Sequence, residues 1–273
     1  MPNILASDFI QNMIDSMSNL YSRGYNERNG GNITYLLTEE ELMPYLDTTH
    51  CLREIPIAFD ASPLAGCFFL VSGSGQYFKN AAKKPDEVLG IVKVASCGTK
   101  LELLWGLSGE KETGTPTSEL PTHFMSHAAR LAVDSSHRVV MHCHATHLIA
   151  MSFTHSLDER AFTKTLWEMC TECIVVFPEG IGIPPWIVPG TEEIGRATSE
   201  KMAYTRLILW PHHGIYGTGS SFDESLGLIE TAEKAAQVYT YVQAQGGKKQ
   251  TITNKQLIDL AKAFNVTPRA GIL

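Results

Sequence analysis

The stretch Arg138-Val139-Val140-Met141-His142-Cys143-His144 decides how the rest of the chain reads. Its β-branched, apolar run is strand-like. Side chains alternate between faces along a strand, so His142 and His144 point one way and Cys143 the other. Two imidazoles on one face can chelate one divalent ion, and a third ligand must come from elsewhere.

Upstream of this strand, Thr117 is placed to cap a helix running to about Ala132, with Glu119 and Pro121 in its first turn. Before it, Leu101 to Trp105, Val88 to Val94, Phe68 to Val71 and Ile33 to Leu37 read as strands. The segment from Thr38 to Pro63 reads as an acidic, irregular insertion. Ser7 is placed to cap a first helix whose apolar residues recur at three- and four-residue spacing, and Gly24 fits its stop. Downstream, His147 to Ser152 and Arg160 to Glu168 are expected as helices and Cys173 to Phe177 as a strand. A proline- and glycine-rich loop follows from Pro178 to Gly190, with Trp186 in a rigid, structural part of it. Thr191 caps the next helix, Leu207 to Trp210 is a strand and Ile215-Tyr216 a further piece. Asp223 opens a long helix to about Ala244, and Thr253 caps the last one. Strands and helices alternate without a linker or repeat. The expectation is a single domain over residues 1–273, of class α/β: a three-layer α/β/α arrangement with a central mixed β-sheet covered by helices on both faces.

Composition narrows the function. The 273 residues are 44% hydrophobic and 19% charged, an ordinary globular mix. A net charge of −7 with no basic tract argues against nucleic acid or an anionic membrane as partner. No apolar run approaches the roughly 18 residues that a spanning helix needs, and no signal peptide is apparent. The six cysteines sit mostly in apolar surroundings and read as reduced thiols of a cytosolic chain.

Several groups of residues are candidates to carry chemistry. His212-His213-Gly214 follows an apolar strand, where a loop would present an imidazole to His142 and His144. Three neutral imidazoles suit zinc and leave one position open for substrate. A competing arrangement pairs the two histidines with Cys170 and Cys173 as a closed structural zinc, but a C-x-x-C running into an apolar strand reads better as coincidence. Asn29-Gly30-Gly31-Asn32, Ser72-Gly73-Ser74-Gly75 and Thr117-Ser118 offer backbone N–H groups, amides and hydroxyls to a phosphate. None matches a nucleotide-binding loop. Glu119 is the candidate general base, against a plain helix-start glutamate. His123 and His127, four apart on one helix, read as surface or packing residues rather than as ligands. Glu172 is a further carboxylate beside the cysteines.

Together these segments resemble the class II aldolase/adducin family of metal-dependent phospho-sugar aldolases and 4-epimerases. The match rests on Asn29 to Asn32, Ser72 to Gly75, Thr117-Ser118-Glu119, His142-Cys143-His144 and His213-Gly214, in the family's order across most of the chain. Asn26-Glu27-Arg28, Pro116 to Pro121, Met141 to Thr146, Leu209-Trp210-Pro211 and the length between Thr38 and Pro63 narrow it to the branch acting on L-rhamnulose 1-phosphate. The resemblance implies reversible cleavage of that sugar to dihydroxyacetone phosphate and L-lactaldehyde in L-rhamnose catabolism. It implies one Zn²⁺ per subunit on His142, His144 and His213, where preferring His213 to His212 rests on the glycine neighbour. It also implies Glu119 as acid/base and Glu172 assisting proton transfer from a neighbouring subunit. Asn29, Asn32, Ser74, Thr117 and Ser118 would hold the phosphate, with Gly30 and Gly31 allowing close backbone approach. A cytoplasmic four-fold homotetramer with active sites at subunit interfaces is further implied. The alternatives are an L-fuculose-1-phosphate aldolase, a ribulose-phosphate 4-epimerase or a non-catalytic adducin-like binding protein. No lysine lies in these motifs, which disfavours Schiff-base chemistry.

Overall fold

The strand around His142 is β6 in chain order, Val139–Cys143, and its alternation separates two apolar layers. A computed structural model describes residues 2–108 and 113–273. The other strands are β1 (Asn32–Leu37), β2 (Arg53–Pro56), β3 (Phe68–Ser72), β4 (Leu89–Val94) and β5 (Lys100–Gly106), followed by β7 (Ile181–Gly182), β8 (Leu207–Trp210) and β9 (Gly214–Gly219). They form one sheet in the order β2-β5-β4-β3-β1-β6-β9-β8-β7. The β7–β8 pair is parallel and the other neighbours are antiparallel, so the sheet is mixed.

The helices are α1 (Asp8–Ser22), α2 (Glu39–Leu42), α3 (Pro85–Val88), α4 (Leu120–Val133) and α5 (Thr146–Thr154). After them come α6 (Glu159–Met169), α7 (Cys173–Val176), α8 (Glu192–Met202), α9 (Phe222–Ala244) and α10 (Asn254–Ala263). On one face of the sheet, Ile33, Val139, Met141, Cys143 and Ile215 join residues of α1, α5, α6 and α9 in the largest core cluster. On the other face, Phe69, Val71 and Val92 pack with Leu120 and Phe124 of α4, while Val140, Ile208 and Tyr216 pack with Ile194 and Met202 of α8. Helices on both faces of a mixed sheet make the expected α/β/α layering. Among the described residues, no helix is long and apolar enough to cross a membrane.

Several local expectations change. Cys173 to Phe177 is not a strand. Cys173–Val176 is helical, and Phe177 N–H donates to Cys173 O at 2.9 Å. A four-residue apolar run has no period that separates strand from helix. The parallel edge strand lies instead at Ile181–Gly182, inside the segment expected as loop. The insertion from Thr38 to Pro63 is partly regular: Thr38 and Glu41 form a capping box on α2, and β2 pairs with β5 as an edge strand. Glu119 occupies the N-cap of α4 rather than its first turn, and Thr117 Oγ1 accepts from Glu119 N–H at 3.3 Å. Ser7 stands at the N-cap of α1 without a side-chain bond to the helix. Thr191 and Thr253 cap as expected, and Ser221 caps the long helix one residue ahead of Phe222.

Phe124 anchors α4 to the sheet. Its ring lies 4.6 Å from that of Phe69 and 6.0 Å from that of Phe59, and it is 1% exposed. Phe124→Ala leaves a cavity under the helix that carries Glu119. Urea unfolding at fixed protein concentration is expected to show a loss of about 3–5 kcal/mol; a change below about 1 kcal/mol would mean that α4 is held some other way.

Candidate metal and carboxylate site

One row of the sheet builds the site. Antiparallel register sets Asn32 of β1 opposite His142 of β6, and His142 opposite Tyr216 of β9. All three side chains face α4, whose N-cap supplies Glu119. Tyr216 stacks on the His142 ring, with centroids 4.3 Å apart and planes at 18°, and Trp210 packs against both. His144 follows the last residue of β6 and returns to the same face as His142. The β8–β9 turn brings His213 alongside. The nitrogens of His142, His144 and His213 lie within 4.8 Å of one another, which among the described residues is the one His/Cys/Asp/Glu group with this potential.

The donor set suits a divalent cation. His142 donates from Nδ1 to Ile215 O at 3.1 Å. Its Nε2 is left buried without a hydrogen-bond partner. An orphaned buried nitrogen is costly unless something fills its lone pair, and a cation there would do so. His144 Nδ1 lies 2.8 Å from Glu27 Oε1, which fixes its ring and leaves Nε2 free. Burial, with neighbouring imidazoles adding to it, holds His142 well below the usual histidine range. The same causes bring His213 down to about 4. Both imidazoles are therefore neutral near pH 7, the form in which they could hold a cation. Gly214 permits the approach: a Cβ there would meet Cys143 O at 2.4 Å and the His142 ring at 2.8 Å.

Glu119 sits at the mouth of this group. Its Oε2 is 3.7 Å from His142 Nε2 and its Oε1 3.9 Å from His213 Nε2. Oε2 accepts from Asn32 Nδ2 at 3.1 Å and from the Tyr216 hydroxyl at 2.5 Å. Burial pushes the carboxyl above the usual carboxylate range, and the Tyr216 and Asn32 hydrogen bonds oppose that rise. A carboxyl tuned this way is suited to giving and taking a proton.

The three turns expected to face a phosphate meet at this end of the sheet. Ser72 Oγ accepts from Ile33 N–H, Ser72 O accepts from Thr117 N–H, and Ser74 N–H donates to Thr115 O. Asn29, Ser74 and Ser118 are exposed there, while Thr117 is buried. Gly31 has φ +77, and a Cβ would lie 1.7 Å from Asn26 Nδ2, so the turn into β1 requires glycine. Gly30 lies against the His144 ring. Asn32 is buried with both ends of its amide engaged.

Some residues stand apart. His212, at φ +63, donates its N–H to Ser152 Oγ at 2.9 Å and lies outside the three-imidazole group. Cys170 and Cys173 are also outside it, and both are free thiols. Glu172 is exposed at the N-cap of α7, where its carboxylate accepts from the Cys170 thiol at 3.0 Å. Sequence reading missed Glu27, Trp210 and Tyr216 as site residues. Tyr216 could have been found from the two-residue period starting at Gly214. Glu27 had its only signal in the Asn26-Glu27-Arg28 resemblance, because the turn that carries it to His144 has no period.

Residues 11–240 match the model of the Class II Aldolase and Adducin N-terminal domain. A rhamnulose-1-phosphate aldolase of Enterococcus faecalis is 62% identical over 99% of this chain and 96% of its own length. One of Listeria innocua is 62% identical, covering 99% and 98%. The crystal structure of a sugar-phosphate aldolase from Thermotoga maritima superposes with a TM-score of 0.75 at 25% identity, over 88% of this chain and 96% of that one.

The Glu27 contact makes a prediction. Second-sphere carboxylates on ligating histidines typically contribute 10- to 100-fold in metal affinity. Glu27→Ala should weaken divalent-metal binding by about that factor in a chelator competition titration. Because Glu27 is exposed, folding should be unaffected; unchanged affinity would show that His144 is oriented without it.

Proposed function

The chain belongs to the class II aldolase and adducin family, and we propose that it is a metal-dependent aldolase that reversibly cleaves L-rhamnulose 1-phosphate to dihydroxyacetone phosphate and L-lactaldehyde. The observation that carries this reading is a buried carboxylate, Glu119, within 4 Å of two of three convergent imidazoles. Near-full-length identity to proteins named rhamnulose-1-phosphate aldolase supports the choice of sugar.

His142, His144 and His213 are assigned as the ligands of one Zn²⁺. The ion would supply Lewis-acid polarisation of the substrate oxygens, stabilising the charge that carbon–carbon cleavage creates. The chain's own residues do the remainder. Glu119 delivers a proton to the carbon freed by cleavage and removes it in the condensation direction. Its Oε2 is already held by Asn32 and Tyr216, so Oε1 is the atom that exchanges the proton. Asn29, Ser74, Thr117 and Ser118 are assigned to the phosphate, with Gly30 and Gly31 offering close backbone approach; Asn32, expected from the sequence to join that set, has both ends of its amide engaged by Glu119 and His123. Remote binding of that group fixes the reacting carbons against the carboxylate. Glu172 is assigned to proton transfer in a neighbouring subunit's site, which needs more than one subunit, with a homotetramer as the proposed assembly, and suits its exposed position at the N-cap of α7. Residues 1–273 are read as one domain, since a single sheet draws strands from both halves. A charged sugar phosphate is retained inside cells, so the cytoplasm is the compartment proposed.

The test is direct. Protein loaded with zinc and given L-rhamnulose 1-phosphate should release dihydroxyacetone phosphate, a chelator should abolish this, and added zinc should restore it. Full activity after metal removal would overturn the assignment, and a clear preference for L-fuculose 1-phosphate or a pentulose phosphate would move the substrate. Glu119→Gln should retain the metal and lose about 10²- to 10⁴-fold in kcat, as removal of a general acid–base does. Undiminished turnover would remove Glu119 from that role.

A further inference from the structure

Behind Glu119 lies a row of buried polar side chains of which the chemistry above uses only the first, Asn32. Asn32 presents its amide nitrogen to Glu119, and its Oδ1 turns away to bond His123 Nε2. Two residues along the same face of β1, Thr34 Oγ1 lies 2.8 Å from His123 Nδ1 and 2.8 Å from His127 Nε2. His123 and His127 are four apart on α4 and face the sheet together. Thr34, His123 and His127 are at most 1% exposed.

Hydrogen-bond counting gives this row a single direction. Glu119 Oε2 accepts from both of its neighbours whether or not Oε1 carries a proton, so Asn32 must turn its NH₂ toward Glu119 and its oxygen toward His123. That oxygen only accepts, so His123 carries its proton on Nε2. Burial keeps His123 and His127 uncharged, which leaves His123 Nδ1 as a bare acceptor. The Thr34 hydroxyl must therefore donate to it, and the Thr34 oxygen must accept from His127 Nε2–H. Every donor then points toward Glu119. Chains of this kind polarise their members and hold the terminal group in one orientation.

We propose that Thr34, His123 and His127 are positioning residues: a one-way hydrogen-bond chain that, through Asn32, fixes the Glu119 carboxylate with Oε1 turned to the reacting carbon. This rests on the reading of Glu119 as the acid/base. Misplacing a reacting group by about 1 Å can cost on the order of 100-fold in rate, so a loosened carboxylate should show in turnover rather than in substrate binding.

Two variants separate positioning from packing. Thr34→Val keeps the shape and removes the hydroxyl, whereas Thr34→Ser keeps the hydroxyl. Thr34→Val is expected to lower kcat about 10-fold or more, with KM within twofold and full metal content, while Thr34→Ser retains at least half of the parent kcat. Nitrogen-15 spectra of histidine-labelled parent protein should show His123 and His127 in the Nε2–H tautomer. The proposal fails if Thr34→Val turns over within twofold of the parent, if its loss appears in KM, if Thr34→Ser is no better than Thr34→Val, or if His123 carries its proton on Nδ1. The tautomer measurement uses the unaltered protein, so it decides the matter even if Thr34→Val does not fold. A parent protein that cleaves no ketose 1-phosphate would instead overturn the proposed function, with the tautomers still judging the chain.

Discussion

Register between β1, β6 and β9 is the constraint on which the rest of the structure depends. It aligns Asn32, His142 and Tyr216 in one row across three strands. A slip of one residue in β6 would turn His142 into the apolar layer of α1 and α9 and bring Cys143 to the site, because side chains alternate along a strand. Apolar residues prevent the slip. Val139, Met141 and Cys143 are buried on one face and Val140 on the other, so any shift strands several of them at once. Geometry at the site is thus enforced by hydrophobic burial elsewhere on the same strand.

Charge at the site follows from burial in the same way. The chain carries −7 overall, yet the proposed substrate is anionic. The turns assigned to the phosphate contain amides, hydroxyls and backbone N–H groups, with neutral imidazoles beside them. Neutral donors avoid the cost of burying lysine or arginine, and their dipoles need not overcome a local negative field. The exception is Glu119, whose burial raises its proton affinity while two hydrogen bonds moderate the rise.

Legibility in the sequence tracks how local each feature is. The His142 and His144 pair was readable because it depends only on strand alternation within one segment. Helix starts at Thr191 and Thr253 were readable because a cap acts over three residues. Cys173–Val176 was misread because a run that short carries no period, and β2 was missed because only Ile55 of its four residues is buried. Two features were invisible for a different reason. The partners in the Glu119 row are 87 to 97 residues apart, and no spacing rule reaches that far. His123 and His127 read as surface or packing residues; both are buried, and the spacing that pairs them gives no sign of Thr34, the polar partner they pack against.

That polar row also explains why the apolar layer under α4 and α8 is divided. On β1, Thr34 lies between Val71 of β3 and Val140 of β6, which belong to separate clusters. His127 touches Phe69 on one side and His123 touches Tyr216 on the other, so the two rings bridge the halves. An apolar side chain at Thr34 would join the clusters into one core and gain burial. It would also leave the facing nitrogens of both histidines without partners, each costing on the order of 1–3 kcal/mol. Such a seam is self-consistent once all its members are polar, and it cannot be removed one residue at a time. The seam ends on Glu119, whose carboxylate oxygens lie 3.7 and 3.9 Å from nitrogens of His142 and His213. A fold seeking only stability would fill that space with valine and leucine; holding a proton-transferring oxygen at a fixed point inside the protein requires the polar alternative.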